Sequence, residues 1–163
     1  MTAAIKPVFL SPDVTALLEQ CGLPVSGCST PASPLFFGHR SDSQLAGVVG
    51  LECCGSVALL RSLGVAPAHR MSGLGQALVL FAEGYACSHN ISSVFLLTTT
   101  AAAFFAKLGY VPVSRGTAPA SIQATAQFSS LCPSSATFMV KVLASNPALK
   151  RDCAKARGPL LLR

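Results

Sequence analysis

The chain has 163 residues, of which 51% are hydrophobic and 11% charged, with a formal net charge of +6. This composition excludes a disordered chain, and a coiled coil would need sustained charged positions that are missing. No stretch of about 18 residues runs free of charge, proline and polar interruption, so no membrane span is expected. The longest apolar run, residues 45–60, carries Glu52 at its middle. The basic excess is local. Residues 144–163 hold five bases against one acid, while the remainder holds seven bases against five acids. The expected organisation is one domain over 1–143 followed by a basic tail over 144–163, with no nucleic-acid partner and no membrane contact.

Seven cysteines without a CxxC pair or a histidine cluster give no metal site, and they read as small reduced hydrophobes. The first residues, broken by Pro7 and Pro12, lack the long apolar core of a secretory signal, so a cytoplasmic protein is expected.

Residues 5–10 read as a short strand. Ser11, Pro12 and Asp13 then supply an N-cap, a first-turn proline and a first-turn acid for a helix that carries Val14, Leu17, Leu18 and Cys21 and ends at Gly22. Residues 22–34 are rich in Gly, Ser and Pro and read as a long loop. Three strands follow, over 35–40, 44–54 and 56–65, and their short connections predict an antiparallel meander. A helix starts near Gly73, with Leu74, Leu78, Phe81, Ala82 and Tyr85 at helical spacing. A strand over 93–98 and a short helix over 101–108, capped by Thr99 or Thr100 and stopped at Gly109, come next. A strand over 110–114, a helix over 119–131 and a final strand over 135–143 complete the order β-α-β-β-β-α-β-α-β-α-β. The expected fold class is α/β in the α+β sense: a mixed, largely antiparallel sheet flanked by helices.

One segment carries chemistry. The strand ending at Val65 leads through Ala66 and Pro67 into Arg70-Met71-Ser72-Gly73-Leu74-Gly75 and directly into a helix. Glycines there leave main-chain N–H groups unobstructed where a helix N-terminus supplies orphan donors and a positive dipole end, an arrangement suited to a diphosphate. A dinucleotide fingerprint would need Gly at 78, which is Leu; a Walker loop would need Gly-Lys-Ser/Thr, and Gly75 is followed by Gln76.

The pattern Arg70-x-x-Gly73-x-Gly75 behind Val65-Ala66-Pro67 resembles the acetyl-CoA diphosphate loop of the GNAT superfamily of N-acetyltransferases. Residues 101–113, AAAFFAKLGYVPV, look like that family's second signature. The resemblance covers roughly residues 5–143. A narrower one, on LLRSLGVAP, LLTTTAAAFFAKLGYVPVSR and Leu131-Cys132-Pro133-Ser134, is to the arsenic-resistance-associated (ArsN-type) N-acetyltransferases. It implies a small-molecule acceptor in a bacterial cytoplasm, an amino-acid-like toxin or an arsenical.

The resemblance implies acetyl-CoA as cosubstrate, no metal, and direct acetyl transfer to an amine, with positioning supplying much of the acceleration. It places the pantetheine chain along Leu63, Gly64 and Val65, with Gly64 opening the strand, and the diphosphate on Arg70, Met71, Ser72, Gly73, Leu74, Gly75 and Gln76. Thr98 stands where many relatives carry a cofactor-contacting asparagine. Glu52, the one acid in the central strands, is the candidate base. The family's acidic tyrosine corresponds to Phe105, which cannot donate, so Ser62 or a water is the candidate partner of the leaving thiolate, and Tyr110 reads as packing. The substitution at 105 also keeps a non-catalytic CoA-binding or sensing module as the alternative, and the sequence leaves a homodimer open.

Overall fold

The computed structural model describes residues 4–23, 34–126, 128–129 and 135–143. The elements are β1 (Lys6–Val8), α1 (Pro12–Gln20), β2 (Leu35–Ser41), β3 (Gln44–Cys54), β4 (Val57–Val65), α2 (Leu74–Ser88), β5 (Ser93–Thr98), α3 (Ala102–Lys107), β6 (Val111–Pro112), α4 (Ala120–Gln123) and β7 (Thr137–Val142). Single 3₁₀ turns lie at Pro67–His69 and Arg115–Thr117. The strands form a seven-stranded sheet of order β1-β2-β3-β4-β5-β7-β6, and the order of elements along the chain is the expected one.

The chain divides into two compact units, one of residues 1–52 with 60–82, the other of residues 53–59 with 83–163. In the first, β1, β2 and β3 pair antiparallel, as the short connections require. A register shift falls between His39 and Arg40. Beside it Arg40 reaches Asp13 at the start of α1, 3.0 Å away. Helix α1 begins as its sequence dictates, with Ser11 extended at the N-cap and Pro12 in the first turn, although the Ser11 side chain makes no capping hydrogen bond. Its apolar stripe of Val14, Leu17 and Leu18 packs with Phe36 and Val48 to make this unit's core. Strand β3 is buried continuously from Ala46 to Glu52 rather than on alternate residues, so neither face of its centre meets water.

In the second unit β5 pairs antiparallel with β7 over its whole length, and β6 pairs with β7. Leu59, Phe95, Ala118, Ile122 and Phe138 form its core, with the Phe95 and Phe138 rings stacked 5.3 Å apart.

Four local expectations change. The helix expected over 119–131 is interrupted: Ala120–Gln123 is α-helical, a turn and a bend follow at residues 124 and 125, and helical backbone resumes at residues 126, 128 and 129. The Thr125 hydroxyl donates to the Ile122 carbonyl at 2.7 Å and accepts from the Phe128 N–H at 3.3 Å, so a side chain competes with the helical ladder. The strand expected over 110–114 shrinks to two residues, with Val113 donating to the Phe138 carbonyl from outside it. Helix α3 has Ala101 at its N-cap, and it is Thr98, not Thr99 or Thr100, whose hydroxyl accepts an N–H there, that of Ala101 at 3.0 Å. Cys87 is disulfide-bonded, against the reading of every cysteine as reduced, whereas Cys21, Cys53 and Cys54 are free. The 24–33 part of the long loop, the Leu131–Ser134 stretch and the basic tail lie outside the described residues. No helix among the described residues is long and apolar enough to cross a membrane.

Candidate functional site

Most of the residues expected to act lie within the first unit, on the ends of β3 and β4 and on the loop into α2. The loop turns twice through left-handed backbone, at Met71 (φ 65°) and at Gly73 (φ 85°). A Cβ on Gly73 would meet nothing within 4 Å, so glycine is required there by conformation and leaves open space above the main chain. Met71 projects fully into solvent. The Ser72 hydroxyl hydrogen-bonds the His69 carbonyl, which stiffens the bend. The Ala77 N–H bonds the Gly73 carbonyl at 3.1 Å, so α2 starts at Gly73, and the N–H groups of Leu74, Gly75 and Gln76 have no backbone acceptor among the described residues.

Helix α2 is seated by Leu74 and Leu78, both buried over Gly47 of β3. A Cβ at 47 would come within 2.9 Å of both leucine side chains, so the helix entrance rests directly on strand backbone. No acid occurs between Glu52 and Glu83, while Arg61, His69 and Arg70 do. The segment's own formal charge is therefore positive, and the helix dipole adds to it at the start of α2.

Arg70 does more than offer charge. Its Nε donates to the Val65 carbonyl at 3.0 Å, and its Nη2 lies 3.8 Å from Cys21 Sγ, whose thiol donates to the same carbonyl at 3.7 Å. The guanidinium ties the loop to the end of β4. Leu63 and Val65 are half-buried and Gly64 is buried against the end of α1, where a Cβ would meet Cys21 Sγ at 3.1 Å. Gly64 thus permits a close approach. The left-handed residue of β4 is Ser62 (φ 56°), two positions earlier than the glycine.

Glu52 is not a solvated hairpin-end carboxylate. It is buried, and its Oε1 accepts from Arg61 Nη1 at 3.2 Å. The Arg61 side chain is 1% exposed, and its Nε donates to Ser62 Oγ at 3.1 Å. Gly50 makes room for it: a Cβ there would meet the Arg61 Cγ at 3.2 Å. Sequence reasoning named Glu52 and Ser62 but missed Arg61. The available signal was a single base inside the apolar run of β4, nine residues from the single acid of β3 across a tight turn.

The second unit holds Thr98, at the end of β5 with its hydroxyl engaged by Ala101. It also holds a buried polar cluster that the sequence did not announce. Tyr110 donates to Glu83 Oε2 at 3.3 Å, and Lys141 Nζ lies 2.6 Å from Glu83 Oε1. Burial pushes the Glu83 carboxyl above its ordinary value, and Lys141 and Tyr110 only partly offset this. Burial also holds the Tyr110 phenol well above its usual range, helped by the Glu83 charge. Phe105 is buried, edge-on to Phe104 and Tyr110, and offers no proton. Burial, then Cys54, raises the Cys53 thiol, which is thereby kept from being a ready thiolate. Among the described residues no group of His, Cys, Asp or Glu is placed to hold a metal ion.

Residues 33–112 match the family model described as an acetyltransferase (GNAT) domain. No curated protein matches the sequence significantly. Solved structures with the same fold include N-acetylglutamate synthase from Neisseria gonorrhoeae complexed with coenzyme A and N-acetyl-glutamate, at 20% identity and TM-score 0.71. That alignment covers 88% of this chain and 35% of the synthase, so the chain spans about a third of that relative's length. Aminoglycoside 6'-N-acetyltransferase complexed with coenzyme A is similar at 16% identity and TM-score 0.66, over 88% of this chain and 99% of that one. The ribosomal-protein-S18-alanine N-acetyltransferase from Escherichia coli is similar at 18% identity and TM-score 0.63, over 86% and 93% respectively. These likenesses are of fold, and the loop at Arg70–Gln76 falls inside the span of residues 33–112 that the family model matches. Over residues 33–112 the chain is thus similar to acetyltransferase (GNAT) domains.

Proposed function

We propose that this protein is an acetyl-CoA-dependent N-acetyltransferase acting on the amine of a small molecule. The observation that carries the reading is the bend between Met71 and Gln76. Two left-handed residues there lead into a fifteen-residue helix whose first three N–H groups have no backbone acceptor among the described residues, in a segment without carboxylates. That is the donor set a diphosphate requires. The GNAT domain match and the coenzyme A held by similar folds support the same cosubstrate. Arg70, Met71, Ser72, Gly73, Leu74, Gly75 and Gln76 hold the diphosphate in this reading. Leu63, Gly64 and Val65 take the pantetheine chain, and Thr98 is a further cofactor contact.

Glu52 is the proton acceptor for the incoming amine, and Ser62 faces the leaving sulfur. The acceptor is a compact amine, with an amino-acid-like toxin or an arsenical as the class to screen first, and the reaction belongs in the cytoplasm where acetyl-CoA is at hand. Phe105 favours a second reading, a module that holds CoA without turnover, since no phenol stands at that position to serve the thiolate.

Calorimetric titration with acetyl-CoA, followed by a thiol-release screen over amino acids, amino-phosphonates, arsenicals and polyamines, separates these readings. Binding with release for at least one amine is expected, and Gly73→Asp should abolish binding by placing a carboxylate in the bend. Binding without release for any amine supports the holding module; no binding at all refutes both.

A further inference from the structure

Adjacent residues of a strand point to opposite faces, so Arg61 and Ser62 should not touch. Here they do: Arg61 Nε donates to Ser62 Oγ at 3.1 Å. The contact is made possible by the left-handed backbone of Ser62 (φ 56°), which breaks the alternation of β4 at that residue. The same guanidinium reaches across to β3 and donates through Nη1 to Glu52 Oε1 at 3.2 Å. One planar, permanently charged group therefore holds two side chains from neighbouring strands. The environment makes this arrangement costly. Arg61 and Glu52 are buried on strand centres packed mainly with apolar residues, and a buried ion pair is commonly no more stabilising than apolar residues of the same volume. Gly50 is kept without a side chain where the Arg61 stem passes.

We infer that Arg61 is a positioning residue for acetyl transfer, an inference that rests on the acetyltransferase reading above. Its role has two halves. By occupying Oε1 of Glu52 it fixes the carboxylate's orientation. By donating to one lone pair of Ser62 Oγ it fixes the hydroxyl's orientation and lowers that oxygen's basicity, so the O–H is set to act as a donor. In the transfer, the amine nitrogen bonds to the thioester carbonyl carbon and the carbon–sulfur bond breaks, its electron pair going to sulfur. The proton leaving nitrogen goes to Glu52, and the Ser62 O–H donates a hydrogen bond to the departing thiolate. The proton held on Glu52 then returns through solvent to sulfur, giving free thiol and restoring the carboxylate. No donor at Phe105 is needed in this scheme.

The test compares wild type with Arg61→Lys, Arg61→Gln and Ser62→Ala, using acetyl-CoA and the panel amine that wild type turns over fastest. Arg61→Lys keeps a charge beside Glu52 but has no planar fork to span both partners. We expect kcat to fall about tenfold or more in each single variant, a fraction of the usual worth of general acid–base groups. The acetyl-CoA dissociation constant from calorimetry should stay within about twofold of wild type, because none of these side chains contacts the carrier's diphosphate. Adding Ser62→Ala to Arg61→Lys should cost little more, as befits residues acting as one unit. An unchanged kcat in Arg61→Lys, a dissociation constant that rises in step with the loss of kcat, or full additivity in the double variant overturns the inference. If Arg61→Gln does not fold, Arg61→Lys, Ser62→Ala and their double decide it. A failure of the acetyltransferase reading itself shows separately, in wild-type protein that binds no acetyl-CoA or turns over no amine, and removes the inference with it.

Discussion

At Ser62 a conformational cost is written in a single torsion. A side-chain-bearing residue with φ 56° in the middle of a strand sits in backbone that favours glycine or asparagine. Within strands glycine is normally the poorer choice than alanine. At position 62 the order should invert: Ser62→Gly is expected to be more stable than Ser62→Ala by about 1 kcal/mol, measured by urea unfolding, because both lose the hydroxyl but only alanine retains the strained conformation. If alanine is the more stable, the left-handed turn is not a property of the folded chain. Arg70 is a second residue with a structural commitment, its Nε donating to the Val65 carbonyl.

At the scale of elements, the register between helix and strand matters most. Helix α2 presents its first turn at the right place because Leu74 and Leu78 lie on Gly47, and the bend before it inherits that placement. Gly47→Ala forces both leucines back from a 2.9 Å approach. Overpacking of this kind typically costs about 1–3 kcal/mol. The expected result is a lower melting temperature together with a raised KM for acetyl-CoA, the second effect being absent if α2 does not position the bend.

Further along α2, the Glu83 cluster governs pH dependence. Its carboxyl is raised above the ordinary value near 4.3 because burial outweighs Lys141. A raised acid binds its proton more tightly folded than unfolded, so this contribution is fully present below the ordinary value and is lost as pH rises through the folded one. Melting temperature followed from acid upward should therefore decline across that window in wild type, and Glu83→Gln should flatten the decline. An identical profile in the two proteins would assign the pH dependence elsewhere.

For the whole molecule, binding and stability are linked. If acetyl-CoA binds the folded chain alone, saturation at about 100 times its dissociation constant adds about 2.7 kcal/mol to stability, visible as a rise in melting temperature that grows with the logarithm of concentration. Free pantetheine, which lacks the diphosphate, should produce a markedly smaller rise at equal concentration. Equal shifts for the two would place the binding energy away from the bend at Met71–Gln76. Similarity to structures of 16–20% identity gives the fold, while the acceptor amine is decided by side chains that differ among such proteins.

Most of the fold was legible along the chain. Beta-strands β3 and β5 have the expected limits, and the Ser11-Pro12-Asp13 and Gly73-x-Gly75 signals mark real helix starts, because capping and left-handed turns are local chemistry that neighbours in sequence settle among themselves. The helix expected at 119–131 is interrupted for the complementary reason: its apolar spacing was read, but the Thr125 hydroxyl's competition for the backbone was not. The residues of the bend proposed to hold a diphosphate are contiguous and so could be named from sequence, as could the acid Glu52 of the central strands. What only the tertiary structure decided is company. Arg61 beside Glu52, Cys21 beside Val65, and Glu83 between Tyr110 and Lys141 are partnerships across 9, 44, 27 and 58 positions of chain. Burial and strand register create them, and no local pattern records which distant side chain will share a buried charge.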